Sequence, residues 1–119
     1  MSTLVVFSDA PTDTIADFLH WLDLTTEWVE DRDYSSTEGT DPALAAWFEE
    51  MSARFPSRVD GPSNTTRYII ASTCIYARFA EREWESACAL ARALATEHNL
   101  GFYESGSGEV HLADGRCVS

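Results

Sequence analysis

Apolar side chains in this chain recur with two different periods, and the alternation between them fixes the class of fold. Ile15, Phe18, Leu19 and Leu22 fall at i, i+3, i+4 and i+7, the spacing that lines one face of an α-helix. Leu44, Trp47, Phe48, Met51 and Phe55 form a second such stripe, and Trp84, Ala87, Cys88, Ala91, Leu94 and Ala95 a third. Between the stripes lie short runs rich in β-branched and aromatic residues: Leu4 to Phe7, Tyr68 to Ile70, Cys74 to Tyr76 with Phe79, Phe102-Tyr103 and Val110 to Leu112. These read as strands. The resulting order is β-α-α-β-β-α-β-β. Strands joined by short turns imply antiparallel pairing. The expected fold is α+β: a two-layer sandwich with a largely antiparallel sheet of four to five strands and three helices on one face.

Local signals set the boundaries. The first helix is expected over Asp13 to Trp28, with Thr12 or Asp13 as N-cap and Asp13 and Asp17 placed where the helix dipole favours anions. The second opens with Asp41 as N-cap and Pro42 at the first helical position, and Pro56 stops it. The third runs from Glu81 to Asn99 and is rich in alanine; Asn99 and Gly101 end it. Ser72-Thr73 turns a hairpin inside Arg67 to Ala80, and Ser105-Gly106-Ser107-Gly108-Glu109 is the tip of a second. Glu30 to Asp41 and Pro56 to Thr66 are polar loops, and the tail from Asp114 to Ser119 is loose. With 119 residues, 45% of them hydrophobic, the chain is long enough for one domain, residues 1–119, with a sizeable core.

Charge narrows the function. There are 20 Asp+Glu against 8 cations, every one Arg, for a net charge of -12. Nine of the acids and a single base, Arg32, lie between Asp23 and Glu50, interleaved with Trp28, Tyr34, Trp47 and Phe48. Trp47 and Phe48 belong to a helical stripe, which leaves Trp28 and Tyr34 as candidate anchors. Such a surface repels nucleic acid and anionic membrane, whose binding needs cations, and attracts a basic protein. The expected partner-binding residues are Glu27, Trp28, Glu30, Asp31, Asp33, Tyr34 and Glu38. The start of the chain lacks a positive n-region, and its apolar run stops at Ser8-Asp9, so neither a signal peptide nor a membrane span is expected. Three cysteines, Cys74, Cys88 and Cys117, make no disulfide framework, and the expected compartment is the cytoplasm.

Catalytic and metal chemistry finds little support. His20, His98 and His111 lie on three different predicted elements, and neither Cys-x-x-Cys nor His-Glu-x-x-His occurs, so no metal or cofactor is expected. The acidic loop starting at Asp31 departs from a calcium loop at its sixth place, Ser36 rather than Gly, and at its twelfth, Pro42 rather than Glu. Gly106-Ser107-Gly108 sits between short strands beside Glu104 and Glu109, a hairpin tip rather than a phosphate cradle. Cys88 shares the inner helix face with Trp84 and reads as core; Cys74 starts a strand and Cys117 lies in the tail. No catalytic residue is assigned. Two alternatives remain: a small hydrolase using a carboxylate pair in a cleft, or a non-catalytic accessory or oligomerisation module.

Several strings carry a resemblance: Val6-Phe7 before Ala10-Pro11; Trp21 with Thr26-Glu27-Trp28; Pro42-Ala43-Leu44 with Trp47-Phe48-Glu49-Glu50-Met51; Phe55-Pro56; Gly61-Pro62; Ile75-Tyr76-Ala77 with Phe79-Ala80; and Gly101-Phe102-Tyr103 with Ser105-Gly106. In these the chain resembles a family of small acidic bacterial proteins, mostly uncharacterised, some of which look like immunity proteins of polymorphic toxin systems. The likeness covers most of the chain and is most specific at Thr26-Glu27-Trp28 with the acidic loop behind it. Family members tend to have Trp-Ser where this chain has Glu81-Arg82, and Ile69-Ile70-Ala71 is more apolar here. The resemblance implies a protein that neutralises a cognate toxin domain and brings no catalytic residues with it; the acids from Glu27 to Glu38 point to occlusion of that partner's basic active site as the mechanism.

Overall fold

A computed structural model describes residues 3–27, 34, 36–59, 61, 64–105 and 107–118. Along them run β1 (Thr3–Phe7), α1 (Ile15–Thr25), α2 (Pro42–Arg54), β2 (Arg58–Val59), β3 (Thr65–Ile70), β4 (Cys74–Arg78), a 3₁₀ turn (Glu81–Glu83), α3 (Trp84–Glu97), β5 (Gly101–Glu104), β6 (Val110–His111) and β7 (Cys117–Val118). The strands form one sheet in the order β2-β3-β4-β1-β5-β6-β7, and every neighbouring pair is antiparallel. The α+β class and the antiparallel pairing are as expected from the sequence. The sheet is wider than expected, seven strands rather than four to five. The extra strands, β2 and β7, are two residues each and lie at the two edges. They fall in the expected loop Pro56 to Thr66 and in the tail expected to be loose. Strands this short have no period to read; edge pairing recruits them, Val59 against Thr65 and Val118 against Val110.

The helices do not all lie on one face. In β1 the side chains alternate, so Leu4 and Val6 join the core under α2 and α3, while Val5 and Phe7 join a second core under α1. Leu4, Val5 and Val6 are all fully buried. An unbroken apolar run is what a strand covered on both faces requires, and Leu4-Val5-Val6-Phe7 is such a run. On the first face, Trp47 of α2 is buried and donates its indole N–H to the carbonyl of Ala91 in α3 at 3.0 Å. On the second, Phe18 of α1 meets Phe7 and Tyr103 with ring centroids 5.1 Å apart in each case.

The caps explain the helix limits. Thr14, rather than Thr12 or Asp13, caps α1: its hydroxyl accepts the Asp17 N–H at 3.1 Å. Asp41 caps α2 as expected, accepting the Ala43 N–H at 2.9 Å, with Pro42 in the first turn. Asn99 takes φ 57° after α3, and the N–H groups of Asn99 and Leu100 close back on the carbonyls of Thr96 and Ala95, the paired-bond C-terminal motif that a left-handed residue allows. Two side chains depart from the expected core. Leu19 is 41% exposed, its place under the sheet taken by Trp21, which packs on Phe7 and Phe18. Cys88 is only half-buried, and its thiol donates to Glu104 Oε1 at 3.1 Å.

Candidate functional site

The expected partner-binding residues all fall in one connection, between the end of α1 and the start of α2. Trp28, Glu30, Asp31 and Asp33 lie outside the described residues, and so does any question of their shared geometry. The structure places the other three. Glu27 is exposed just past the end of α1, its N–H donating to the carbonyl of Leu24 at 3.3 Å. The Tyr34 carbonyl accepts the Ile70 N–H at 2.7 Å, which ties it to the end of β3. The Tyr34 side chain is half-buried against the core beneath α1. Glu38 is exposed, and its N–H donates to Ser36 Oγ at 3.1 Å.

Beyond Glu38 the chain is stitched to the β3–β4 turn. The Thr40 hydroxyl donates to the Ala71 carbonyl at 3.2 Å, and the Asp41 N–H to the Ser72 carbonyl at 3.1 Å. These bonds hold Thr40 and Asp41 against the sheet, and the Glu38 side chain just before them stays exposed.

Sequence periodicity missed part of this surface. Leu19 and Leu24 of α1 are 41% and 53% exposed, and with Val59 they are the exposed large apolar side chains among the described residues. Around them on α1 stand exposed Asp17, His20 and Asp23, with Glu27 beyond the helix end. Leu24 lies off the apolar stripe, a signal present in the sequence. Leu19 lies on the stripe, and only the packing of half-buried Trp21 on Phe7 and Phe18 accompanies its turn outward.

Acids elsewhere serve the fold. Asp41 caps a helix, Glu83 pairs with Arg58 at 2.9 Å, Glu50 Oε2 lies 2.6 Å from His98 Nε2, and Glu104 accepts from Cys88. Burial together with the bond to Glu104 pushes the Cys88 thiol up to about 12, against a smaller opposing pull from Arg92. Such a thiol is a poor nucleophile at neutral pH. Burial, and secondarily the Glu83 carboxylate, raises the Tyr68 phenol above its ordinary range; its hydroxyl donates to the Phe55 carbonyl at 2.7 Å.

A groove of about 290 Å³ beside Phe7 and Gly101 has both Asp9 and Asp114 in its lining, so it is where a carboxylate-pair hydrolase would be sought. The backbone N–H and then the guanidinium of Arg116 hold Asp114 below the usual carboxylate range. That is the wrong direction for a general acid. Two histidines also stand among carboxylates, His98 with Glu50 and Glu97, and His111 with Glu109 and Cys117. His111 Nδ1 faces the guanidinium of Arg92 at 3.3 Å. Arginine only donates, so Nδ1 is the acceptor and the neutral ring carries its proton on Nε2, toward Glu109. His98 Nε2 donates to the Glu50 carboxylate at 2.6 Å, whereas His111 Nε2 lies 3.8 Å from Glu109, beyond hydrogen-bond reach.

Set against models of protein families, curated proteins and solved structures, the chain matches none. No helix among the described residues is long and apolar enough to cross a membrane.

Proposed function

We propose that this is a cytoplasmic binding protein that neutralises a basic protein partner, a cognate bacterial toxin domain, by occluding its active site. The observation that carries the reading is the pair Leu19 and Leu24, exposed on α1 among acids and continuous in sequence with the segment Glu27 to Glu38. Apolar side chains inside a charged frame are what a partner surface uses: the charges speed encounter and set register, and desolvated apolar and aromatic anchors slow dissociation. Glu27, Glu30, Asp31, Asp33 and Glu38 pair with Lys and Arg lining the partner's cleft, and Trp28 and Tyr34 are the anchors. A nuclease, or an enzyme acting on a phosphorylated nucleotide, has the basic cleft this requires. The resemblance to small acidic bacterial proteins, some of which look like immunity proteins of toxin systems, points the same way.

Co-expression with the product of the neighbouring gene tests the proposal. The native chain is expected to co-purify with that product and to rescue growth. The triple charge reversal Glu30→Lys, Asp31→Lys, Asp33→Lys is expected to weaken binding by about a hundredfold or more, since each close charge pair contributes about 1.5 kcal/mol or more. Its thermal melting should stay close to that of the native chain. Binding and rescue that survive the reversal overturn the mechanism.

A further inference from the structure

The last strand, β7, closes one edge of the sheet beside β6. His111 of β6 has Phe102 as its cross-strand partner on one side and Cys117 on the other. Val110 is buried in the core beneath α1. Strand alternation therefore turns His111 to the opposite face, the side of α3, and Glu109, two residues before it, toward the same side. Directly opposed residues of an antiparallel pair have Cβ atoms about 5 Å apart, which brings the Cys117 thiol beside the imidazole. One donor atom from each of Glu109, His111 and Cys117 lies within 4.8 Å of the other two, and His111 Nε2 is 3.8 Å from Glu109 Oε2.

Thiolate, imidazole and carboxylate are the three ligand types of protein zinc sites. Around a tetrahedral Zn²⁺ ion, bonds of about 2.0–2.3 Å set the donors about 3.3–3.6 Å from one another. The three groups reach that geometry by closing about 1 Å. Glu109 and Cys117 are exposed, so rotation of their side chains supplies the movement, and solvent gives an ion its path in. The other histidine cluster differs on both counts: it has no thiol, and His98 Nε2 is already bonded to Glu50 at 2.6 Å.

From this geometry we propose that Glu109, His111 and Cys117 bind one Zn²⁺ ion, which staples the edge strand β7 to β6. The thiol releases its proton to solvent as the sulfur coordinates. Thiolate and carboxylate then balance the two charges of the ion, and a net charge of -12 draws cations to the molecule. Nε2 is the coordinating nitrogen. With the ion there the ring carries its proton on Nδ1, so the 3.3 Å contact of Arg92 with Nδ1 must break. Arg92 is exposed and turns into solvent, and its displacement is a cost specific to this site. Three protein ligands leave a fourth position for water. A thiolate-containing set selects against Mg²⁺ and Ca²⁺, which take oxygen ligands. The inference is independent of the proposed partner binding, which uses α1 and the segment after it.

The test is a titration of the reduced full chain with Co²⁺, followed by displacement with Zn²⁺, read by absorption. One ion per chain is expected, with thiolate-to-cobalt charge transfer and the strong visible bands of a four-coordinate ion. Cys117→Ser should abolish the charge transfer. It and His111→Gln should each weaken Zn²⁺ binding by about a hundredfold or more, above the range for outer-shell partners, and Glu109→Gln by about tenfold. His98→Gln should leave binding and spectrum unchanged. Arg92→Gln should tighten binding by about threefold to tenfold, because a nearby cation and a competing donor are removed. Glu109 and Cys117 are exposed, so their variants are expected to fold, which melting of the metal-free chains checks. Zn²⁺ should raise the melting midpoint of the native chain and not that of Cys117→Ser. Absence of saturable binding, a spectrum without thiolate charge transfer, one ion per two chains, or affinity indifferent to both Cys117→Ser and His111→Gln overturns the inference.

Discussion

On one face of the sheet, α2 and α3 bury Leu44, Trp47, Met51, Ala87 and Ala91 together with Leu4, Val6, Ile70 and Ile75; on the other, α1 brings one fully buried residue, Phe18, to a smaller core and leaves the β3–β4 half to a groove. Under the proposed function, the difference separates stability from recognition. A side chain in the large core cannot change without leaving a cavity, whereas exposed positions on the α1 side can change at little cost to folding. Elements with few buried apolar contacts also open most readily. The exposed leucines of α1 and the groove at β3–β4 therefore both lie where the core is thin.

Substitutions grade this contrast. The largest loss is expected for Trp47→Ala, about 3–5 kcal/mol for the cavity, with the indole bond to Ala91 lost as well; denaturant unfolding measures it. Phe18→Ala should cost less, about 3 kcal/mol, and the loss should be local. Hydrogen exchange should show the amides of α1 losing protection while those of α2 and α3 keep theirs. Equal loss of protection on both faces would break the comparison. Gly101→Ala comes next: a Cβ at that position overlaps the Phe7 ring, and overpacking of this kind costs about 1–3 kcal/mol.

A smaller effect depends on pH. The folded Cys88 thiol keeps its proton up to about 12, while an unfolded thiol ionises near about 8.5. Between these values the unfolded chain binds fewer protons than the folded one, so stability falls as pH rises; below that window the thiol contributes no slope. Urea midpoints should decline between about pH 8 and pH 10.5, and Cys88→Ala should reduce the decline. Smallest of all, Leu24→Ser should change stability by no more than about 0.5 kcal/mol while weakening partner binding, a pairing of outcomes that a structural role for Leu24 would not produce.

Much of the fold was legible because its signals are physical necessities. The three stripes gave three helices, Asp41-Pro42 gave the start of α2, and Asn99 gave the end of α3. Which face each helix covers was not legible from the stripes, because a stripe says that a helix packs and not on which side of a sheet. The unbroken run Leu4 to Phe7 held that answer, since a strand with one wet face would alternate. The two-residue edge strands were invisible for want of a period. Of the candidate site, Glu27, Tyr34 and Glu38 were named from charge and aromatic density alone, whereas Leu19 was read as core because a helical stripe does not reveal which of its members a larger neighbour, here Trp21, displaces. The cluster of Glu109, His111 and Cys117 needs the register of β6 and β7, which no local pattern of the sequence supplies.

Hydrogen exchange on the complex with the neighbouring gene's product tests the central claim most directly, since it reports which backbone amides the partner covers. The account predicts new protection over Leu19 to Glu27 and Tyr34 to Glu38, with the solvent sides of α2 and α3 unchanged. Protection confined to α2 and α3, with Leu19 to Glu38 exchanging as in the free protein, would contradict it.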